Sequence, residues 1–301
     1  MNNKIIIKEQ VIGFVRYSQK GFYENKDRNI FDAEYFEYRY TIFNNVTLKS
    51  FQQQTNPSFI LLLLHSENMP FHYKERFFDL EKENPFIYNV FIKDTQESFN
   101  EVILNSEKYI SYEKDAAITF RIDNDDAVPT NFIENLSLFL NPAFVGSCIN
   151  LPNILIVKRA QTNNYLVERR YFPSNSIGLA YVTSENNFKT IFDINHHHLV
   201  NEKNNLILLP TYSGMPIQTI NGENAMNSIN DIASENFTER KLQEFLKDNN
   251  YPNINLKCLK ILKSQKRNTI NGIINLLTPP IFKVILFKIH AFIMHKNNIN
   301  L

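Results

Sequence analysis

The sequence predicts an α/β protein with a mostly parallel sheet flanked by helices, and three observations predict it. Short apolar runs alternate with longer stretches of helical spacing from residue 5 to residue 122. Residues 59–64 are continuously apolar, as in a strand covered on both faces. A strand-like stretch built on Ala116, Ala117, Ile118 and Phe120 then stops in Asp123, Asn124, Asp125 and Asp126, ahead of Pro129. That pattern puts acids at the carboxyl end of a strand, where open α/β sheets bind ligands.

The elements follow in order. Residues 5–7 and 11–15 predict a first strand ending at Arg16, Tyr17 and Ser18, and the polar residues 19–31 predict a loop. Tyr35, Phe36, Tyr40, Phe43, Val46, Leu48 and Phe51 trace one helical face. Pro57 stops that helix, because proline cannot continue the hydrogen-bond ladder. Strand, helix, strand makes a βαβ unit, whose right-handed crossover leaves the strands parallel. The pattern repeats with a helix over 71–82, a strand over 86–91, a helix over 99–112 and the strand that feeds the acids. Residues 151–158 and 164–171 read as a hairpin and 177–183 as a further strand, so antiparallel structure is added in the second half. A short amphipathic helix is expected over 238–247, capped by Asn236 or Thr238. Residues 273–294 are mostly apolar, interrupted by Asn275, Thr278, Lys283, Lys288 and His290. They read either as a docked terminal helix or as an interfacial helix at a membrane surface. The expected division is a catalytic domain over 1–235 and a C-terminal helical extension over 236–301.

Composition narrows the partners. Lys and Arg total 32 against 31 for Asp and Glu, so no basic surface for nucleic acid is indicated. Cys148 and Cys258 argue against a disulfide scaffold and fit a reducing compartment. The amino-terminal apolar stretch is short for a signal peptide, and no uninterrupted apolar run reaches the roughly 18 residues of a membrane span. A cytoplasmic protein is expected, with contact to the inner face of the membrane as the functional reading of 273–294.

Three carboxylates cannot all be buried as anions without a counter-charge. A divalent cation, Mg2+ or Mn2+, supplies one and is held by one or two carboxylates plus substrate phosphates. Asp125 and Asp126 are therefore the candidate metal ligands and Asp123 a donor-binding group, in the DxD manner of nucleotide-sugar glycosyltransferases. The plain alternative is a solvated acidic turn that caps the next helix. Arg16 and Arg121, at neighbouring strand ends, could fork onto phosphate or hold an aspartate. Arg39, on the first helix, reads as a surface charge. Of His196, His197 and His198, adjacent residues cannot all reach one ion, so a single histidine, His197, is the candidate late metal ligand or, alternatively, a donor to the diphosphate. With the acids at a strand end, Asp125→Ala is expected to abolish activity and leave the fold intact.

Several segments carry a resemblance. They are Gly13 to Ser18, Arg39 to Phe43, Thr47 to Thr55 with Phe59, Arg121 to Ala127 with Phe132-Ile133, and Met215 to Asn224. Together they resemble the bacterial putative rhamnosyltransferase family, which is similar to GT-A-type glycosyltransferases. The resemblance implies a GT-A-like, Rossmann-like fold. It implies a hexosyltransferase that moves a sugar, with rhamnose suggested by the name, from a nucleoside-diphosphate donor to a glycan or lipid-linked acceptor of bacterial surface polysaccharide. It also implies a histidine where this chain has Asn221, a poorer metal ligand. An inverting transfer needs a base for the acceptor hydroxyl proton; Asp193 and Glu185 are the candidates, Asp193 being preferred because three histidines follow it. Two other classes are open: a metal-dependent phosphodiester hydrolase using the same acids, and a non-catalytic sugar-binding relative, for which Asn221 speaks.

Overall fold

The apolar runs form β1 (Val11–Arg16), β2 (Ile60–Ser66), β3 (Ile87–Ile92) and β4 (Ala117–Asp123), which pair in parallel in the order β3-β2-β1-β4. The computed structural model describes residues 7–18, 29–173, 175–194, 205–210, 214–222, 234–251 and 253–262. His197 and residues 273–294 lie outside these. The sheet continues past β4 through β8 (Leu179–Thr183), antiparallel to it, then β5 (Ser147–Asn150) and β9 (Asn205–Leu208), making seven strands. A second sheet contains the hairpin β6 (Asn153–Gln161) and β7 (Asn164–Tyr171), flanked by β10 (Ile217–Ile220) and β11 (Glu235–Thr238). The expected class therefore holds: mixed α/β, with a mostly parallel sheet between helices and antiparallel strands added beside it.

Side-chain alternation explains why both faces of β1 and β2 are apolar up to Val15 and Leu64. Val11 and Val15 enter one core with Leu61 and Leu63, while Ile12 and Phe14 enter another with Ile60, Leu62 and Leu64. The first core is closed by α1 (Ala33–Asn45), α2 (Thr47–Gln52), α3 (Phe71–Glu83) and α5 (Phe132–Ser137); the second is closed by α4 (Gln96–Asn105). Gly13 is a glycine because a Cβ there would stand 2.3 Å from Phe120 Cζ.

Two expectations need correction. The helix expected through Phe51 breaks at Val46 into α1 and α2. The break lets Ile42 and Val46 pack under the second sheet while Leu48 and Phe51 pack under the first. The boundary expected after residue 235 falls inside β11, which pairs with β7. α6 (Glu239–Asp248), capped by Thr238, places Leu242 and Leu246 in one core with Ile42, Leu155 and Val167. Residues 236–251 and 253–262 are thus built into the main body rather than appended to it. Among the described residues no helix is long and apolar enough to cross a membrane.

β2 also buries His65. Its ring lies against Phe77 and Phe91, with Nε2 3.0 Å from Asn89 Oδ1. Burial pulls its pKa from 6.5 down to about 3. The unfolded chain therefore takes up a proton that the folded chain refuses, and stability falls as pH drops through that window. The loss from this group approaches about 1.4 kcal/mol per pH unit. Urea midpoints measured from about pH 7.5 to about pH 5 should fall more steeply for the wild type than for His65→Gln. Parallel curves would show that His65 is protonated in the fold.

Candidate active site at the β1 and β4 strand ends

Chain order reverses between β1 and β4: β2 and β3 lie to one side and β4 to the other. A crevice at the carboxyl ends of such strands is the ligand site of open α/β sheets. Here Arg16 stands directly opposite Asp123 in the ladder. Arg16 Nη2 lies 3.7 Å from Asp123 Oδ1 and Arg121 Nη2 lies 3.8 Å from it, both beyond hydrogen-bond length. The Arg16 and Asp123 side chains are each 41% exposed, whereas Arg121 is 12% exposed. The strand ends so present one accessible carboxylate between two guanidinium groups.

The next three residues turn inward. Asn124 Nδ2 donates to the Tyr17 carbonyl at 3.2 Å, and Asn124 Oδ1 accepts from Arg39 Nη2. Asp125 Oδ2 accepts from Arg39 Nη1 at 3.2 Å and from Asn221 Nδ2 at 2.8 Å. Asp126 Oδ1 accepts from the Thr219 N–H at 3.4 Å, and Thr219 Oγ1 donates to the Asp125 carbonyl at 2.7 Å. β10 delivers Thr219 and, one residue past its end, Asn221, and it is clipped to the acidic turn by reciprocal Ala127–Ile217 hydrogen bonds of 3.0 and 2.8 Å. Burial raises the pKa of Asp125, against the pull of Arg39. Burial and then the Asp125 and Asp123 charges push Asp126 well above the carboxylate range. Arg39 stays charged because Asp125 offsets the cost of its burial.

Several site expectations change. Arg39 is not a surface charge; its side chain is 17% exposed and paired with Asp125, which is 6% exposed. The carboxylates of Asp125 and Asp126, expected as metal ligands, are engaged by guanidinium, amide and backbone N–H donors instead. Among the described residues no three His, Cys, Asp or Glu stand where they could hold a metal ion. The donor set at this turn does not fit a divalent cation. Glu185 is also misplaced. β8 runs antiparallel to β4, with Thr183 opposite Ala117 and Leu179 opposite Arg121, so residues after Thr183 lie at the far end of β4 from Asp123. Past Glu185 the chain returns across the sheet: the Ile191 N–H donates to Thr119 Oγ1 at 2.9 Å, and the Arg121 guanidinium lies 5.7 Å from the centre of the Phe192 ring. Asp193 follows, exposed, with Oδ2 capping its own 3-10 turn through the Thr190 N–H at 2.7 Å and Oγ1 at 3.1 Å.

Sequence reasoning missed Thr219 and missed Arg39's role. Arg39 did carry a signal, since it lies three residues after Phe36 and four before Phe43, inside the buried stripe of α1. A charge on that stripe demands an internal partner. Arg16, by contrast, is open to solvent. On the expectation that Arg16 is a donor-binding group, Arg16→Ala weakens nucleoside-diphosphate binding by about tenfold or more without changing thermal stability. Calorimetric titration alongside a melting curve checks both halves. Undiminished affinity would move the phosphate site away from β1.

The fold is that of an α/β protein whose mostly parallel sheet has a switch point between β1 and β4, the place where open sheets of this class bind ligands. Residues 10–231 match the model of the family described as "Putative rhamnosyl transferase", and the chain belongs to that family. No curated protein matches the chain. Among solved structures, it is similar to a mannosyltransferase, PcManGT from Pyrobaculum calidifontis, in complex with GDP-Man and Mn2+. That match has 11% identity, a TM-score of 0.40, and covers 70% of this chain and 57% of that one. It is also similar to TarS residues 1–349 from S. aureus, with 6% identity, a TM-score of 0.30, and coverage of 50% and 36%. The chain thus spans 57% and 36% of the lengths of these structures.

Proposed function

We propose that the protein transfers a hexosyl group from a nucleoside-diphosphate sugar bound at the β1 and β4 strand ends. The observation that carries this reading is the Arg16–Asp123 pair at the switch point, with Arg121 beside it. Breaking the donor bond develops negative charge on the leaving diphosphate, and guanidinium groups stabilise such charge through paired N–H donors. Asp123, accepting only, suits the hydroxyl groups of the ribose or the transferred sugar. Asp193 is the proposed base for the acceptor hydroxyl, because its turn packs against Arg121 on the site side of the sheet.

The description of the family supports rhamnose as the transferred sugar. In this reading the acceptor is a glycan or lipid-linked oligosaccharide of a bacterial surface polysaccharide, met at the inner face of the membrane. The support for membrane contact is the sequence of 273–294 alone. The test is a screen of uridine, guanosine and deoxythymidine diphosphate sugars for binding and slow donor hydrolysis. One nucleotide is expected to bind, with release of its sugar. Failure of every nucleotide to bind would sink the reading, and cleavage of a generic phosphodiester in their place would mark a hydrolase.

A further inference from the structure

We infer that Arg39 supplies, within the chain itself, the positive charge that a divalent cation would bring to Asp125, so that nucleoside-diphosphate binding at this edge is independent of metal. The ligand in this statement rests on the donor reading above; the charge arrangement does not.

The arrangement begins on α1. Phe36, Ile42 and Phe43 bury one face of that helix, and Arg39 projects from within this face to the acidic turn. Its two terminal nitrogens fork onto consecutive residues, Nη1 to Asp125 Oδ2 at 3.2 Å and Nη2 to Asn124 Oδ1. Asn124 is itself fixed by its bond to the Tyr17 carbonyl, so the fork is braced on both sides. Asn221 sends a second N–H donor to the same Asp125 oxygen at 2.8 Å. Asn221 turns its NH2 rather than its carbonyl oxygen to Asp125, and the two donors converging on Oδ2 occupy both lone-pair directions of that oxygen. A cation bound at the usual 2.0–2.6 Å from that oxygen would also sit beside a fixed guanidinium of like charge.

Asp126 offers no alternative. It is 2% exposed and accepts from the Thr219 backbone. Asp123 remains, but Arg16 and Arg121 flank it. Three guanidinium groups, of Arg16, Arg39 and Arg121, therefore meet the acids from three different elements. Their charge is permanent at any physiological pH and needs no loading step. With Asp125 already neutralised by Arg39, Arg16 and Arg121 meet the incoming diphosphate without a metal bridge.

The test uses the full chain and two readouts. Binding of uridine, guanosine and deoxythymidine diphosphate is measured by calorimetry in EDTA and in millimolar Mn2+, and Mn2+ binding to the protein alone is followed by electron paramagnetic resonance. For the nucleotide that binds, Kd is expected to agree within about threefold between the two conditions, with no Mn2+ taken up by the protein alone. Arg39→Lys should keep this independence. Arg39→Met should bind nucleotide about tenfold or more weakly in EDTA and recover part of the loss when Mn2+ is added. A wild-type Kd tightened about tenfold or more by Mn2+ would overturn the inference and leave the transferase reading standing. Absence of nucleotide binding in both conditions would overturn both. Melting curves establish whether Arg39→Met folds; if it does not, the wild-type comparison decides alone.

Discussion

Asp125→Ala is expected to destabilise the fold by about 3–5 kcal/mol, the usual cost of stranding one partner of a buried ion pair. The variant leaves the Arg39 guanidinium inside the protein with its carboxylate gone, and leaves Asn221 Nδ2 without its 2.8 Å acceptor. Urea denaturation at neutral pH measures the loss. The double variant Asp125→Ala with Arg39→Met should recover most of it, because removing both charges removes the stranded one. This reverses the expectation from sequence, where an acid at a strand end could be deleted without harm to the fold. Unchanged stability in the single variant would mean that the Arg39–Asp125 pair contributes nothing to the folded state.

Asp193→Asn is expected to lower turnover by about 10² to 10⁴, the usual contribution of a general base, while nucleotide affinity and melting temperature hold. The amide removes proton-accepting power but keeps an oxygen for the cap on Thr190, so a structural loss and a chemical loss separate cleanly. Glu185→Gln is the matched control and should be silent, since Glu185 follows β8 at the opposite end of β4 from Asp123. Undiminished turnover in Asp193→Asn, or retention of configuration at the anomeric carbon, would remove Asp193 from the mechanism.

Much of the fold was legible locally. The continuous apolar run of β2, the helical spacing of α3, the hairpin of β6 and β7 and the Thr238 cap of α6 each reflect a short-range period or a capping side chain. The strand ending in Asp123 was legible for the same reason, and with it the place of the candidate site. Local patterns also carried the family resemblance, whose segments run from Gly13 to Asn224.

What the sequence by itself determined, then, was the order of elements, the parallel sheet and the edge at which the acids emerge. The tertiary structure decided which acids meet solvent. Asp125 is satisfied by an arginine 86 residues earlier and an asparagine 96 residues later. Asp126 is held by the backbone of a strand from the second sheet, and Glu185 is carried away by the antiparallel direction of β8. A period of two or 3.6 residues reports which face of an element is apolar. It carries no information about which distant charge will neutralise a buried carboxylate. That pairing is settled only when α1, β4 and β10 meet, because the cost of burying the charge arises only once water has been excluded.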